Sequence, residues 1–269
     1  MSSKKTIEEI REHKQNVINQ VSYYVEELIQ SEDLEINKKA DKFCYWLDDY
    51  VKFLKYEKSF KPDKLRRYKR GEIIKVHLGY NIGSEEGGLH YCVVLDKNNT
   101  IYSPCLTVIP LTSVKESTDL NKLHKGVVNL GNELFTSLSS KISIKTKDVN
   151  DQLEQLAKAI VLVNDKYIDK QIPDKDEIQI IRTELKELES KIYILKKKKA
   201  SIDKMKKEIN KIKKGSLALT NQITTISKIR IFDPKTNSDV LSNVKLSNEK
   251  LDLIDEQIGK NYSNLLKNQ

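Results

Sequence analysis

The chain has 269 residues, of which 38% are hydrophobic and 32% are charged, with only nine glycines and five prolines. This composition is typical of a helix-rich protein, and no apolar run approaches the roughly 20 residues that a membrane-spanning helix requires. The first residues, MSSKKTIEEIREHK, carry charge but no apolar stretch, so we expect no secretory signal, no membrane association and a cytoplasmic protein. The formal net charge of +9 favours polyanionic partners: nucleic acid, an acidic protein or anionic lipid.

The cysteine content argues against a disulfide framework. The number of cysteines is odd, and none has the C-x-x-C spacing of common zinc and redox sites. We therefore expect reduced, mostly buried thiols, no metal site and no cofactor. The three cysteines are Cys44, Cys92 and Cys105.

Two amphipathic helices are predicted at the N-terminus. Apolar residues recur every three, four or seven positions from 4 to 30, and again from about 36 to 57. The most aromatic stretch of the chain lies in the second helix and contains Phe43, Tyr45, Trp46 and Tyr50. The pattern predicts a helical hairpin that packs its aromatic face on a core, and a partner-binding groove or lid is the alternative. Pro62 and the basic LRRYKR after it mark a boundary.

The hydrophobic period changes to that of β-strands from Gly71 onward. Apolar and β-branched stretches predict four short antiparallel strands in GEIIKVHLG, YCVVLD, LTVIPLTS and VVNLG. YNIGSEEGGLH is predicted to be a loop, because its glycines permit positive φ and a close approach of the backbone to a ligand. SLALTNQITTISKIRIF returns to β sequence late in the chain, and a last helix is predicted from about 247 to 267.

A long helical segment interrupts the β sequence. Apolar residues step by four and three from Val149 to Tyr167, and Pro173 is predicted to end that helix. Heptad spacing follows until KKKK at 196–199 breaks the apolar seam, which indicates a coiled-coil discontinuity or a turn. We predict an antiparallel helical hairpin, or coiled-coil arm, at residues 148–213.

The order of these segments predicts three domains. An N-terminal helical extension spans residues 1–65. A β domain is assembled from residues 66–147 and 214–269, and the arm of residues 148–213 is inserted into it.

The β sequence resembles a known family. The pieces RGEIIKVHLGYNIGSEEGG, HYCVVLD, SPCLTVIPLTS and ALTNQITTISKIRI, in this order, resemble the MazF/PemK/Kid toxin endoribonucleases of bacterial type II toxin–antitoxin modules. The resemblance covers roughly residues 69–115 and 214–268. It implies an α+β fold with a small SH3-like antiparallel β-barrel and flanking helices, usually a homodimer that binds single-stranded RNA across its interface. The N-terminal hairpin and the inserted arm are not part of the compact family core.

The resemblance also implies a reaction. Family members cleave mRNA without metal: the ribose 2′-OH attacks its own phosphate and leaves a 2′,3′-cyclic phosphate and a 5′-OH. Such a toxin stops translation until a protein antitoxin sequesters it. The chemistry needs a base, donors to the phosphorane oxygens and an acid at the leaving oxygen. The alternative is a catalytically weak or inactive member of the fold that binds RNA or protein as a regulatory or interaction module.

Matched position by position, the resemblance assigns catalysis to Glu85, Thr112 and His90. His90 stands where the family has an arginine, which is permanently charged, whereas histidine changes its charge near neutral pH. His90 therefore either transfers protons in place of electrostatic stabilisation, or marks a protein whose nuclease activity is weak or absent. Glu85 has a structural alternative, as a cap of backbone amides or a partner of Lys75, and Thr112 has one as the end of a strand.

The same comparison suggests RNA-binding residues. Arg70 and Lys75 are candidates for the positive charge that the missing arginine would supply, and Ser113 is a candidate donor to phosphate. Gln222 and Ser84 either read a base edge or stabilise the dimer. The lysine-rich end of the arm, KKKKASIDKMKKEINKIKK, either follows RNA phosphates, binds an acidic antitoxin, or is a solvated coiled-coil face.

Overall fold

In the computed structural model, which describes residues 5–167, 175–212 and 215–263, the chain has an α+β fold. The fold consists of two compact units. The hairpin unit comprises Met1–Phe60 and His77–Leu89, and the sheet unit comprises Lys61–Val76 and His90–Gln269. The three-domain division of the sequence differs from this one and stays a prediction.

The predicted N-terminal helices are confirmed as α1 (Ile7–Ile29) and α2 (Leu34–Glu57). A capping box of Thr6 and Glu9 starts α1, which satisfies backbone N–H groups that would otherwise lack partners. The turn between the helices is held by Asn37, whose side-chain amide donates to three backbone carbonyl oxygens at 2.9–3.0 Å. No residue of α1 is buried, so the hairpin is stabilised mainly by local interactions and by the aromatic contacts described below.

Seven strands form an antiparallel sheet in the sheet order β4-β5-β3-β2-β1-β7, with β6 also paired to β3. The sheet is open, since β4 and β7 lie at its ends, so the α+β prediction is confirmed but closure into a barrel is not seen. The strands are β1 (Ile73–His77), β2 (Leu89–Val94), β3 (Cys105–Ser113), β4 (Val127–Gly131), β5 (Ser216–Leu219), β6 (Thr224–Ser227) and β7 (Ile231–Asp233).

Three helices complete the sheet unit: α3 (Glu133–Tyr167), α4 (Lys175–Ile209) and α5 (Asn248–Tyr262), of which α5 confirms the predicted C-terminal helix. The core beneath the sheet draws on all three helices. Its fully buried members include Ile73, Val93, Ile109, Leu130, Leu138, Met205, Ala218 and Ile254.

The helix α3 begins well before the predicted start of the arm at 148. Its first turns place Leu134 and Leu138 in the core of the sheet unit. We missed this part because ELFTSLSSKISIKTKD is rich in serine and threonine, which favour helix interiors weakly. The apolar spacing of four that links Leu134, Leu138 and Ile142 was the available signal.

Farther along, α3 and α4 pack on each other as the predicted antiparallel hairpin. Ion pairs Lys166–Glu184 at 2.7 Å and Lys198–Asp148 at 2.9 Å link them at two levels. The helix α4 continues without interruption through 196–199, so the alternative of a turn there is wrong. Pro173 lies outside the described residues, and coiled-coil geometry stays a prediction.

A buried ion pair orders the start of the sheet unit. Arg66 binds both carboxylate oxygens of Glu72 at 2.8 and 3.1 Å, and both side chains are almost fully buried. Glu72 belongs to the RGE motif, so part of that motif has a structural role.

The structure bears on two expectations drawn from the composition, one about membrane-spanning helices and one about the cysteines. No helix among the described residues is long and apolar enough to cross a membrane. The three cysteines, all in the described part of the chain, form no disulfide. Cys44 and Cys105 are exposed, however, so the expectation of mostly buried thiols is wrong.

Candidate functional site

His90 lies in a strand and not in the loop that the sequence predicted. It is the second residue of β2 and is half-buried. Its Nδ1 atom is 3.3 Å from the carbonyl oxygen of Leu111. Because a carbonyl oxygen only accepts, Nδ1 carries the proton in this contact, and Nε2 is then the basic nitrogen of a neutral ring.

The register of β2 and β3 brings His90 next to Thr112. Cys92 faces Pro110 in this antiparallel pair, and the register continued by two residues puts His90 opposite Thr112. Side chains that face each other in this way have Cβ atoms roughly 4.5–5.5 Å apart. Thr112 is half-buried, so an imidazole and a hydroxyl group face each other at this end of the strands. The next residue, Ser113, is exposed and ends β3, and neighbouring side chains of a strand point to opposite faces of the sheet.

A short turn holds Gln222 beside β3. It ends a 3-10 turn, Thr220–Gln222, that connects β5 and β6, and both of these strands pair with β3. The backbone N–H and the hydroxyl of Thr220 both donate to the carbonyl oxygen of Gly126, at 2.7 and 2.9 Å. Gln222 is half-buried on this turn.

Arg70 is engaged within the sheet unit. Its guanidinium donates to the carbonyl oxygen of Leu95 and forms an ion pair with Asp255 of α5. Its side chain is only 19% exposed. An RNA phosphate would have to displace Asp255 to reach this charge.

Lys75 is held in the same way by the arm. Its ammonium pairs with Glu208 of α4, and the hydroxyl of Tyr91 donates to the same carboxylate at 2.5 Å. Lys211 reaches the other carboxylate oxygen at 3.0 Å. Burial would raise the pKa of Glu208, but the hydrogen bonds from Lys75, Tyr91 and Lys211 outweigh it and lower that pKa to about 2. The carboxylate therefore stays ionised and compensates the charge of Lys75.

Ser84 and Glu85 belong to the hairpin unit, at the tip of the segment 77–89. The base of the segment is closed by two short backbone hydrogen bonds, from Leu78 to Gly88 at 2.7 Å and from Gly88 to Gly79 at 2.6 Å. At the tip the chain turns sharply, and both Ser84 and Glu85 are exposed. The carboxylate of Glu85 has no ion-pair partner among the described residues. It is therefore available to a substrate.

The helix α2 holds the base of this segment through His77. Trp46 stacks on the imidazole with ring centroids 4.7 Å apart, and Phe53 meets its edge at 6.2 Å. The backbone N–H of Gly79 donates to Nδ1 at 3.2 Å, so Nε2 carries the proton and points toward the Asp49 carboxylate, 3.7 Å away.

A second aromatic contact lies beside the first. Phe43 packs edge-on against Tyr80 at 5.0 Å, and Tyr24 of α1 packs against Phe43 at 5.8 Å. We call these contacts and those on His77 the aromatic clamp, formed by Tyr24, Phe43, Trp46 and Phe53 on the segment 77–89. The sequence predicted an aromatic face on α2, but it did not indicate that His77 and Tyr80 receive it.

The structure thus places His90 across from Thr112, leaves Ser113 exposed at the end of β3, and places Gln222 on a turn beside β3. Arg70 and Lys75 form ion pairs with carboxylates, and Ser84 and Glu85 are exposed in the hairpin unit. Among the described residues, no three His, Cys, Asp or Glu side chains gather closely enough to hold a metal ion.

Comparison with known proteins covers the part of the chain that carries these residues, except Gln222. No curated protein matches the chain. A family model described as PemK-like, MazF-like toxin of type II toxin-antitoxin system matches residues 69–188, from before β1 into α4, and ends before the segment 214–268 that the resemblance also assigned to the family. The resemblance of the sequence is thereby confirmed, and residues 69–188 are a domain of the PemK-like, MazF-like toxin family.

Proposed function

We propose that this chain is a toxin endoribonuclease that cleaves single-stranded RNA, with mRNA as its target, by a metal-independent reaction. The toxin family supports ribonuclease activity in general. The observation that carries the specific proposal is the position of His90 across from Thr112, because it puts an imidazole, which can carry a proton, beside a hydroxyl donor. The product ends are a 2′,3′-cyclic phosphate and a 5′-OH.

In the proposed reaction His90 acts as the base. The Leu111 carbonyl holds the proton on Nδ1, so Nε2 is the nitrogen that accepts the 2′-OH proton. The 2′ oxygen then attacks the phosphorus, the bond from phosphorus to the 5′ oxygen breaks, and the departing 5′ oxygen takes a proton from water to become the 5′-OH. Thr112 donates a hydrogen bond to a phosphorane oxygen, and Ser113, at the exposed end of β3, is proposed to bind a neighbouring phosphate of the RNA. Glu85 is the second group proposed for proton transfer or substrate positioning.

Mapping of RNA ends after expression of the chain tests this function. We expect new 5′-OH ends at a shared short motif in cellular mRNA. His90→Ala and Glu85→Ala should each slow cleavage by at least about 10²-fold, which is typical for the loss of a positioned acid or base. His124→Ala is the matched control, since this exposed histidine lies outside the site. Wild-type cleavage by His90→Ala would remove His90 from the mechanism.

His90→Arg separates proton transfer from phosphate binding. The substitution restores the arginine of the family resemblance but replaces an imidazole, which can take up and release a proton, with a permanently charged guanidinium. If His90 is the base, the wild-type rate falls toward acid pH; if it is the acid, the rate falls toward alkaline pH. His90→Arg should flatten that limb at whatever residual rate it has, and identical profiles between pH 5 and 9 would show that His90 carries no proton.

A second candidate function is a catalytically silent member that binds RNA or protein. The observation in its favour is that Arg70 and Lys75, the nearest candidates to replace the missing arginine, are both paired with carboxylates. RNA binding without new 5′-OH ends would support this candidate over the nuclease.

We further propose a homodimer, a neutralising protein antitoxin, a cytoplasmic location and an SH3-like barrel for the family domain, as the resemblance implies. Family barrels build their RNA groove across a two-fold interface. Sedimentation that shows a monomer at every concentration would remove the shared groove.

A further inference from the structure

The sheet unit contains a groove outside the candidate catalytic residues. It lies between α4 and the chain from β7 onward, has a volume of about 740 Å³, and includes Ser238 and Val240 on its far wall. We call it the lysine groove, because its charged lining is dominated by Lys75, Lys197, Lys204, Lys207 and Lys211.

Four of these lysines are exposed, and three of the four form a stripe along α4. Lys197, Lys204 and Lys207 are spaced by seven and three residues, so they share one face of the helix and span about 15 Å along its axis. Lys197 lies over the ring of Tyr193 at 4.4 Å. Lys204 and Lys207 have no ion-pair partner among the described residues. Their charges are therefore available to an external anion.

The acidic residues of the groove are already engaged. Glu208 is paired with Lys75 and Lys211. Asp233 accepts hydrogen bonds from two backbone N–H groups, at 2.8 and 3.3 Å. Asp239 also accepts two, at 2.7 and 2.8 Å. These hydrogen bonds hold the carboxylates in the local fold, and five lysines against three carboxylates leave the lining with an excess of positive charge.

An aromatic side chain stands on the opposite wall. Phe232 belongs to β7, at one end of the sheet, and its side chain is 61% exposed. A large apolar ring in this position contributes little to the core. Exposed aromatic rings next to lysines are the usual platform for single-stranded nucleic acid, because unpaired bases stack on the ring while phosphates meet the cations. An acidic peptide would use the lysines but would leave Phe232 without a role.

We propose that the lysine groove binds single-stranded RNA, with backbone phosphates on Lys197, Lys204 and Lys207 and a base stacked on Phe232. The proposal rests on the proposed function for its ligand class and adds a second contact with the same strand. Stacking and phosphate contacts tolerate any sequence, so the groove increases the affinity for RNA outside the cleavage motif and does not select the motif.

The test measures binding to RNA that the enzyme cannot cleave. The probe is a fluorescein-labelled single-stranded RNA of about 20 nucleotides with 2′-O-methyl groups throughout, which lacks the attacking 2′-OH. Fluorescence anisotropy compares the full-length chain with the variant Lys204→Gln/Lys207→Gln. The matched control is Lys199→Gln/Lys206→Gln, which removes the same charge from exposed lysines of α4 outside the groove.

We expect the groove variant to bind about 10-fold more weakly than the control at low salt. The slope of log affinity against log salt should fall in magnitude by about 1.4, from two phosphate contacts at about 0.7 each. Phe232→Ala should weaken binding by about 5-fold or more and leave the slope unchanged, since it removes stacking and no charge.

Equal affinities of the groove variant and the control would overturn the proposal. If, in addition, only the groove variant lost binding to polyglutamate, the ligand would be an acidic protein and not RNA. The proposed function fails by a separate result, the absence of new 5′-OH ends in cells that express the wild-type chain. Because the probe cannot be cleaved, either proposal can fail while the other stands.

Discussion

The hairpin unit and the sheet unit use the same kind of amphipathic helix with opposite results. In α1 no residue is buried, and Ile10 is 54% exposed. In α3, Leu134 and Leu138 are 2% and 0% exposed. Apolar periodicity therefore predicted helices correctly in both units, but it did not distinguish a helix that builds a core from one whose apolar residues are at most partly buried.

The difference bears on function as well as on stability. The segment with Glu85 belongs to the hairpin unit, where the aromatic clamp is its main tertiary support. His90 and Thr112 lie on strands that border a dense core. Local opening costs least where few apolar contacts are buried, so we expect the Glu85 segment to open more readily than β2 and β3.

Truncation of one apolar side chain in each unit tests whether the two helices differ in this way. Leu138→Ala should lower the free energy of unfolding by about 2–5 kcal/mol, because it leaves a cavity in the core. Ile10→Ala should change it by less than about 0.5 kcal/mol, because that side chain is already exposed. Urea denaturation followed by circular dichroism measures both, and similar losses would show that the face of α1 is covered in solution.

A smaller effect concerns the ion pair that joins the arm to the sheet. The pKa of Glu208 is about 2 in the folded protein against an ordinary 4.5, so its carboxylate stabilises the fold above pH 4.5 and this contribution is lost as the pH falls toward 2. Glu208→Gln should cost about 2 kcal/mol at pH 7, below the roughly 3–5 kcal/mol of a fully buried pair.

The difference in stability between wild type and Glu208→Gln should close between pH 4.5 and 2. Urea denaturation at several pH values measures it. Glu249→Gln is the control, since that side chain is 81% exposed. A difference that stays constant across this range would show that ionisation of Glu208 does not stabilise the fold.

The smallest expected effect concerns the aromatic clamp of the hairpin unit. Trp46→Ala removes the ring that stacks on His77, a loss of about 1 kcal/mol of local stability. Hydrogen exchange of the Leu78 and Gly88 amides should become about fivefold faster, while that of Val93 in the sheet unit stays unchanged. Tyr45→Ala, which removes an exposed ring from the same helix, should leave all three amides at their wild-type rates.

Much of the secondary structure could be predicted from short-range pattern. VVNLG matches β4 residue for residue, and both N-terminal helices begin and end within a few residues of their predicted limits. Local preference and periodicity are properties of neighbouring residues, so a single sequence carries them. The start of α3 was missed because its serines and threonines outweighed an apolar spacing of four, through Leu134, Leu138 and Ile142, that the sequence does contain.

The candidate site was also predicted from the sequence only in part. The resemblance to the toxin family, read from ordered short motifs, is confirmed over residues 69–188. The sequence placed His90 in a loop, whereas the pairing of β2 with β3 makes it a strand residue beside Thr112. The sequence also offered Lys75 as a free charge, but its ion pair with Glu208 spans 133 positions of the chain.

By itself, the sequence determined the toxin-family resemblance of residues 69–188, the α+β class, the order of helices and strands and the residue types available for chemistry. Tertiary structure alone decided which charges are compensated, which apolar faces are buried and which side chains share a site. The reason is physical: helix and strand preferences act between neighbours, whereas burial, ion pairing and strand register depend on residues that are distant in the chain and meet only after folding.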